Sequence, residues 1–130
     1  MSKQYGKNVR WVGWGAFDVG GARHARTENE KIGVGKDIRV IGDDVSAWKE
    51  RKGHRLTAAM ITGVYGKGIE TLVIGTGAVG AIDWSESVIE SIKEHGIRNV
   101  IVQPTPAACE TFNALSQEGI KVALLAHATC

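Results

Sequence analysis

The sequence lacks long apolar segments, a secretory signal pattern and an excess of charge of either sign. Its longest uninterrupted apolar run lies between Val122 and Ala126, whereas a membrane-spanning helix needs about 20 apolar residues. Sixteen Lys and Arg against 14 Asp and Glu give a formal net charge of +2, which is too balanced to indicate nucleic acid as a partner. The first residues contain no apolar core like that of a signal peptide. We therefore expect a cytoplasmic protein with no membrane or nucleic-acid partner.

Cysteine and proline are also scarce, with two of each among 130 residues. Two cysteines without a secretory signal indicate free thiols and no disulfide framework. His54, His127 and Cys130 could be combined into a metal set on paper, but no spacing of Cys and His supports one. We expect no metal and no cofactor. Glycine is abundant, at 17 residues, and stands singly at the ends of apolar segments, as in turns and helix ends.

The N-terminal part of the chain has the pattern of short β-strands. Apolar patches that alternate with glycine and charge predict strands at residues 9–12, Ala16–Val19 and residues 37–41. The polar stretch at residues 20–30 predicts a mobile loop or an irregular hairpin. This β-rich part covers about residues 9–45.

From about residue 56 to residue 130, predicted helices alternate with short apolar strands. Helices are predicted at residues 57–67 with Thr57 as N-cap, after an Asp83 and Glu86 capping box, and after a Thr105 cap with Pro106 in the first position. Buried strands are predicted at residues 71–74, 99–103 and 121–127. Strands separated by helices of this length pair in parallel. The expected fold is one α/β domain over residues 1–130, with a mostly parallel, mixed sheet.

The order of motifs in this second part resembles a known family. The motifs lie at residues 70–77, 93–97, 104–109, 112–115, 118–119 and 127–130, and are preceded by Trp48 and the Gly53-His54-Arg55-Leu56 segment. Together they resemble the adipogenesis-associated domain family of small archaeal and bacterial proteins, whose domain also occurs in a mitochondrial complex I assembly factor. The resemblance covers about residues 14–130. It implies a three-layer fold with a central mixed sheet and extra N-terminal β structure, and it implies no enzymatic reaction.

Residues 75–80 have the glycine pattern of a dinucleotide-binding loop, with Gly75, Gly77 and Gly80 after a buried strand. In such loops the helix begins within the motif, whereas here the predicted helix begins after the last glycine. The next strand also ends without an acidic residue that could bind a ribose hydroxyl. We therefore expect neither NAD nor FAD to bind. A smaller anion or polar ligand, or an ordinary tight turn, remains as an alternative.

Two loops are predicted to meet at the carboxyl ends of neighbouring parallel strands, where ligands commonly bind. The ligand-binding candidates there are Gly75, Thr76, Gly77, Thr105, Cys109 and Asn113. Cys109 falls in the first turns of a predicted helix, where partial positive charge favours a thiolate; the alternative is a small buried core residue. Asn113 could reach back toward the strand ends or hold a loop carbonyl.

Two functions remain open from the sequence, which predicts no oligomeric state. The resemblance and the absence of a complete catalytic set favour a non-catalytic interaction or assembly module with a protein partner. The alternative is a small-molecule or anion-binding protein, including an unrecognised enzyme, with its site at residues 75–80 and 105–109. Trp48 and Leu56 are expected in the core, whereas the other tryptophans could lie at the core edge or in an exposed patch.

Overall fold

Among residues 4–27 and 29–130, which the computed structural model describes, nine strands and two α-helices form the protein. The first six strands are β1 (Val9–Gly13), β2 (Ala16–Val19), β3 (Ala22–Arg26), β4 (Lys31–Ile32), β5 (Ile38–Ile41) and β6 (Asp44–Ala47). They are followed by β7 (Thr71–Gly75), α1 (Glu86–Glu94), β8 (Asn99–Gln103), α2 (Thr105–Gln117) and β9 (Val122–Ala126). Neither helix is long and apolar enough to cross a membrane within the described part of the chain.

The strands form two sheets. Strands β1 to β4 make an antiparallel meander in chain order. The second sheet has the order β6-β5-β9-β7-β8, in which β7 pairs in parallel with β8 and β9, and β5 pairs antiparallel with β6 and β9. The predicted mixed sheet is confirmed. Its parallel pairings do not outnumber the antiparallel ones, because the β5–β6 hairpin adds two antiparallel pairings to the helix-linked strands.

Strands β7 and β9 are buried on both faces and therefore separate two apolar cores. On one face, Val73 and Leu124 pack with Phe112 of α2 and with the four-stranded sheet. On the other face, Leu72 and Leu125 join a cluster that includes Trp48, Leu56 and Ile92 of α1. Trp48 and Leu56 are each 2% exposed, so their predicted core positions are confirmed.

The helix predicted at residues 57–67 is absent. Only a short 3-10 turn forms at Ala58–Met60, and the hydroxyl of Thr57 does not cap it. Gly63 and Gly66 have φ angles of +74° and +72°, which a continuous right-handed helix does not allow. The apolar side chains of this segment are buried because the irregular chain lies across the sheet, where Trp48 Nε1 donates to the Met60 carbonyl at 2.8 Å.

Of the two structures expected for the polar stretch at residues 20–30, a mobile loop or an irregular hairpin, the structure has the second, because β3 pairs antiparallel with both β2 and β4. Residue 28 lies outside the described residues. Residues 22–25 of strand β3 pair with the four residues of β2. Gly20 and Gly21 make the connecting turn with φ angles of +58° and +91°. The side chains of β3 are exposed or half-buried, so the strand shows no apolar alternation in sequence.

Two predicted helix caps are also wrong. Helix α1 begins at Glu86, and its N-cap residue is Ser85 and not Asp83. The N-cap residue of neither helix makes a side-chain hydrogen bond to the first turn. The backbone of Asp83 instead pairs with the segment before Leu56, since its N–H donates to the His54 carbonyl at 2.8 Å. Thr105 is the first residue of α2 itself, and its hydroxyl is engaged elsewhere.

Candidate functional site

The loop at residues 75–80 is packed closed against the segment at residues 127–130. Its amide donors have these partners: Thr76 to the Gln103 carbonyl at 2.9 Å, Gly77 to Thr105 Oγ1 at 2.9 Å, Ala78 to the Thr129 carbonyl at 2.6 Å and Gly80 to the Gly77 carbonyl at 3.1 Å. The next amide, of Ala81, donates to the Cys130 carbonyl at 3.0 Å. These N–H groups, which would hold an anion in a phosphate-binding loop, donate to oxygen atoms of the protein itself.

Thr105 connects this loop to the end of β9. Its hydroxyl is fully buried, donates to the His127 carbonyl at 2.7 Å and accepts from the Gly77 amide. Gly75 and Gly77 are needed because a Cβ at Gly75 would lie 2.7 Å from Thr105 Oγ1, and one at Gly77, whose φ is +109°, would overlap the backbone of Cys130. Gly75, Thr76, Gly77 and Thr105 thus lie together as predicted, and their close contacts are with the chain itself.

Cys109 and Asn113 lie on the other side of α2, facing β1. They line a groove of about 610 Å3 together with Asn8, Val9, Arg10, Trp11, Asp18, Gly20, Gly21, Pro106 and Glu110. Burial of the Cys109 side chain raises the pKa of its thiol to about 12, and the charge of Glu110 acts in the same direction, against a hydrogen bond from the Trp11 backbone. Desolvation is the largest cause of this shift, and the buried position of Cys109 favours the second of its two expected roles, that of a small core residue.

The Asn113 side chain makes hydrogen bonds to the backbone of β1 on the side where no described strand pairs with it. Its Oδ1 accepts from the Val9 N–H at 2.7 Å, and its Nδ2 donates to the Val9 carbonyl at 2.8 Å. Strand β1 pairs with β2 on its other side. The side chain therefore holds the backbone of a strand, where a loop carbonyl was one of the two expected partners.

A buried polar network, which sequence reasoning missed, holds the segment after β9. Asp37, 7% exposed, accepts at Oδ1 from the Ala128 N–H at 3.0 Å, lies 3.0 Å from His127 Nδ1, and forms an ion pair with Arg51. Burial alone would raise the pKa of Asp37, but hydrogen bonds from His127, Arg51 and the Ala128 amide hold that pKa below its ordinary value. No sequence signal relates these residues, because Asp37 and His127 are 90 positions apart.

In the same network, the Asp37 carboxylate, the His127 imidazole and the Thr129 hydroxyl lie next to one another in that order. His127 Nε2 lies 3.1 Å from Thr129 Oγ1, which is the order of groups in serine hydrolases. Arg51, however, already offsets the charge of Asp37, whereas in a hydrolase that charge stabilises the protonated imidazole. The contacts of Asp37, Arg51 and His127 hold the segment after β9, and we call these three residues the brace. Within residues 4–27 and 29–130, no three His, Cys, Asp or Glu side chains are grouped to hold a metal ion.

The four tryptophans divide into two pairs. Trp48 is buried, and half-buried Trp11 donates from Nε1 to the Ala128 carbonyl at 2.8 Å. Trp14 and Trp84 are 64% and 43% exposed, and Val79 is 73% exposed. We call these three residues, Trp14, Val79 and Trp84, the tryptophan surface. Residues adjacent to two of them are fixed to the same segment, because the Gly15 amide donates to the Ala128 carbonyl and the Ala78 amide to the Thr129 carbonyl.

Comparison with solved structures shows the same fold in several bacterial and archaeal proteins. An outer membrane protein from Bartonella henselae has 25% identity and a TM-score of 0.74, with 98% of each chain covered. A conserved hypothetical protein from Pyrococcus horikoshii has 16% identity and a TM-score of 0.74, with 95% of this chain and 99% of that chain covered. A Bordetella pertussis protein described as an Mth938-like domain has 19% identity and a TM-score of 0.61, with 95% and 87% covered.

Sequence comparison gives a family and a curated relative. The relative is NADH dehydrogenase [ubiquinone] 1 alpha subcomplex assembly factor 3 from Danio rerio, which is 54% identical over 50 residues. That match spans 38% of this chain and 28% of the relative's length. The family model described as "Protein of unknown function (DUF498/DUF598)" matches residues 9–127. The membership expected from the motif order is confirmed, and the chain belongs to the DUF498/DUF598 family of proteins of unknown function.

Proposed function

We propose that the protein is a non-catalytic interaction module that binds another protein during an assembly step. The observation that carries this proposal is the tryptophan surface. Trp14, Trp84 and Val79 expose large apolar side chains, and tryptophan is among the residues that contribute most to binding energy at protein interfaces. The name of the zebrafish relative, an assembly factor, supports the same kind of role. A cytoplasmic location remains a prediction.

The backbone beneath the tryptophan surface is held in place by the rest of the fold. The turn that carries Trp14 and the loop that carries Val79 are both hydrogen-bonded to residues 128–129, and the brace formed by Asp37, Arg51 and His127 secures that segment. A surface fixed in advance loses little conformational entropy on binding. We therefore assign the closed loop and the buried brace the role of presenting this surface.

The implied three-layer arrangement is part of the same proposal. It is supported by the two apolar cores on opposite faces of the central sheet, one against α2 and the four-stranded sheet, the other against α1. In that arrangement the loops that follow β7 and β9 emerge at one end of the sheet, where Val79 is exposed.

Site-specific photo-crosslinking in the organism's own cells tests this function. A benzoylphenylalanine replaces Trp14 or Trp84 in two separate variants, and replaces exposed Lys67 in a matched control. We expect both tryptophan positions to crosslink one and the same protein, and the control position not to. The captured protein is then purified, and its affinity for the wild type is compared with that for Trp14→Ala and Trp84→Ala, each expected to weaken binding by about 10-fold or more. Different proteins at the two positions, or unchanged affinity in both alanine variants, would contradict the proposal.

Binding of a small molecule in the groove beside Cys109 and Asn113 is a second candidate function. Its volume of about 610 Å3 lies in the range of about 300–1,000 Å3 that is common for ligand sites. Cys109 and Asn113 line this groove, which supports their choice as ligand-binding candidates. A role in ligand binding stays a prediction for these two residues and for Gly75, Thr76, Gly77 and Thr105. In an NMR screen of metabolites, a ligand of the groove should shift the resonance of the Trp11 indole N–H. Shifts confined to residues 75–80 would favour the loop.

A further inference from the structure

Two basic grooves run along the outer edge of β6. One has a volume of about 550 Å3 and the other about 150 Å3. Both are lined by Lys31, Val34, Ala47 and Lys49, so they form one channel. Strand β6 is the edge of the central sheet, and β4 is the edge of the four-stranded sheet. The channel therefore lies between β4 and the edge of β6; we call it the β6 channel.

The edge of β6 offers unpaired backbone groups to this channel. Gly42 and Asp43 form a two-residue turn, so Ile41 and Asp44 make the first hydrogen-bonded pair of the hairpin. In an antiparallel ladder, hydrogen-bonded pairs alternate with pairs that are not hydrogen-bonded. The Trp48 amide donates to the Asp37 carbonyl at 2.9 Å, which is a hydrogen-bonded pair where this alternation requires one. Val45 and Ala47 are then the residues that direct their N–H and C=O groups away from β5. Of these groups, the Ala47 carbonyl accepts one long hydrogen bond, from Arg39 Nη2 at 3.5 Å, and a carbonyl oxygen has a second lone pair for an added strand.

Positive charge surrounds the Ala47 end of the edge. The exposed cations are Arg26, Lys31, Lys36 and Lys49. The carboxylates that line the channel are already engaged, since Asp37 pairs with Arg51 and Glu50 lies 3.2 Å from Arg39. At the other end of the strand, Asp43 and Asp44 are exposed acids. The charge along the edge thus changes from positive at Ala47 to negative at Asp44.

We propose that the free edge of β6 binds an extended, acidic segment of a partner protein as an added strand. The backbone of Val45 and Ala47 supplies the hydrogen bonds, as in other cases of strand addition. The lysines of the channel select acidic side chains near Ala47. A second copy of this chain is the competing occupant, because antiparallel pairing of two such edges would set Asp43 and Asp44 of one copy beside the lysines of the other. A dimer of the peptide-free protein at micromolar concentration, seen by sedimentation and lost on Lys31→Glu with Lys49→Glu, would overturn the proposal. The site is separate from the tryptophan surface and does not depend on it.

Fluorescence anisotropy with two short peptides tests charge selection. The probe is a fluorescein-labelled peptide of three Glu-Val repeats, and its control has three Lys-Val repeats. We expect the Glu-Val peptide to bind and the Lys-Val peptide not to bind. The double variant Lys31→Glu with Lys49→Glu should weaken that binding by about 10-fold or more, whereas Lys67→Glu, a charge reversal at an exposed loop position, should not.

Amide hydrogen exchange then tests strand addition itself. With saturating Glu-Val peptide, the amides of Val45 and Ala47 should exchange at least about 10-fold more slowly, and that of Trp14 should not change. Ala47→Pro removes one outward donor without removing a ladder bond and should abolish the protection, whereas Ala47→Val should retain it. Binding without protection of Val45 and Ala47, equal binding of both peptides, or no binding would overturn the proposal. If Ala47→Pro does not fold, the lysine variants and the exchange of the wild type decide.

Discussion

Replacement of Asn113 by alanine removes both hydrogen bonds that the side chain makes to β1. These bonds, of 2.7 and 2.8 Å, satisfy the N–H and C=O of Val9, a residue only 1% exposed. A net hydrogen bond contributes about 0.5–1.5 kcal/mol to stability, and a buried group left unpaired costs about 1–3 kcal/mol. The adjoining groove admits water to part of the vacated space. We therefore expect Asn113→Ala to lower the free energy of unfolding by about 2–4 kcal/mol.

Asn113→Asp separates the hydrogen bonds from the volume of the side chain. At neutral pH the introduced carboxylate can still accept from the Val9 N–H, but it faces the Val9 carbonyl with a lone pair. When protonated, the carboxyl can donate to that carbonyl as the amide does. Its pKa is then higher in the folded than in the unfolded protein, where it is about 4. The loss of stability relative to wild type is smallest below that unfolded pKa and grows as the pH rises through the folded pKa.

Urea unfolding, followed by tryptophan fluorescence at pH 4 and at pH 7, measures both effects. Each variant is compared with wild type at the same pH, so that other titrating groups cancel. Gln117→Ala, at an exposed position of the same helix, is the control and should lie within about 0.5 kcal/mol of wild type. If Asn113→Ala falls within that margin too, or if Asn113→Asp is equally destabilised at both pH values, then Asn113 does not hold β1 in the way described.

Three further predictions concern the segment at residues 127–130 and the thiols. Asp37→Asn should destabilise the protein by about 3–5 kcal/mol, because it leaves the guanidinium of Arg51 buried without its charged partner; thermal unfolding by circular dichroism measures this. Because the pKa of Asp37 is lowered by folding, its contribution is present above the unfolded pKa of about 4 and is lost as the pH falls through the folded value, so wild type should lose more stability on acidification than the variant. In the folded protein at pH 7, iodoacetamide should label Cys130 and leave Cys109 unmodified, as mass spectrometry would show; labelling of Cys109 first would refute its burial. Gly77→Ala should lower the melting temperature, and an unchanged value would show that residues 129–130 do not pack on the loop.

The helix-linked strands could be predicted from sequence, because each contains a continuous apolar run; β7 and β9 are buried on both faces, and β8 is mostly half-buried. The apolar run at residues 99–103 became β8 with the same limits, and the run before Gly75 became β7. Strands β3 and β6 lack such runs, since they lie at exposed parts of their sheets. The spacing of Leu56, Met60 and Val64 resembles a helical period. In the structure, Leu56 and Val64 are buried and Met60 is half-buried in an irregular segment that glycine turns interrupt.

The candidate site was predictable only in part. The strand order placed Thr76 near Thr105, because parallel neighbours end at one edge of the sheet. It could not show that the segment after β9 would occupy the same edge and take up the loop amides. Nor could it show that Cys109 faces β1, since this depends on how the N-terminal sheet packs against α2. The brace around Asp37 joins residues that only the tertiary fold brings together.

The position of β9 has a consequence for how the chain acquires its structure. It is the last of the nine described strands in sequence, yet it lies in the middle of the central sheet, between β5 and β7. Until residues 122–126 have left the ribosome, β5 and β7 have no partner on that side, and both apolar faces stay open to water. Pairings over such sequence separations also form slowly. Folding of the central sheet is therefore expected to wait until β9 has been synthesised, and until then the earlier apolar strands are exposed to chaperones.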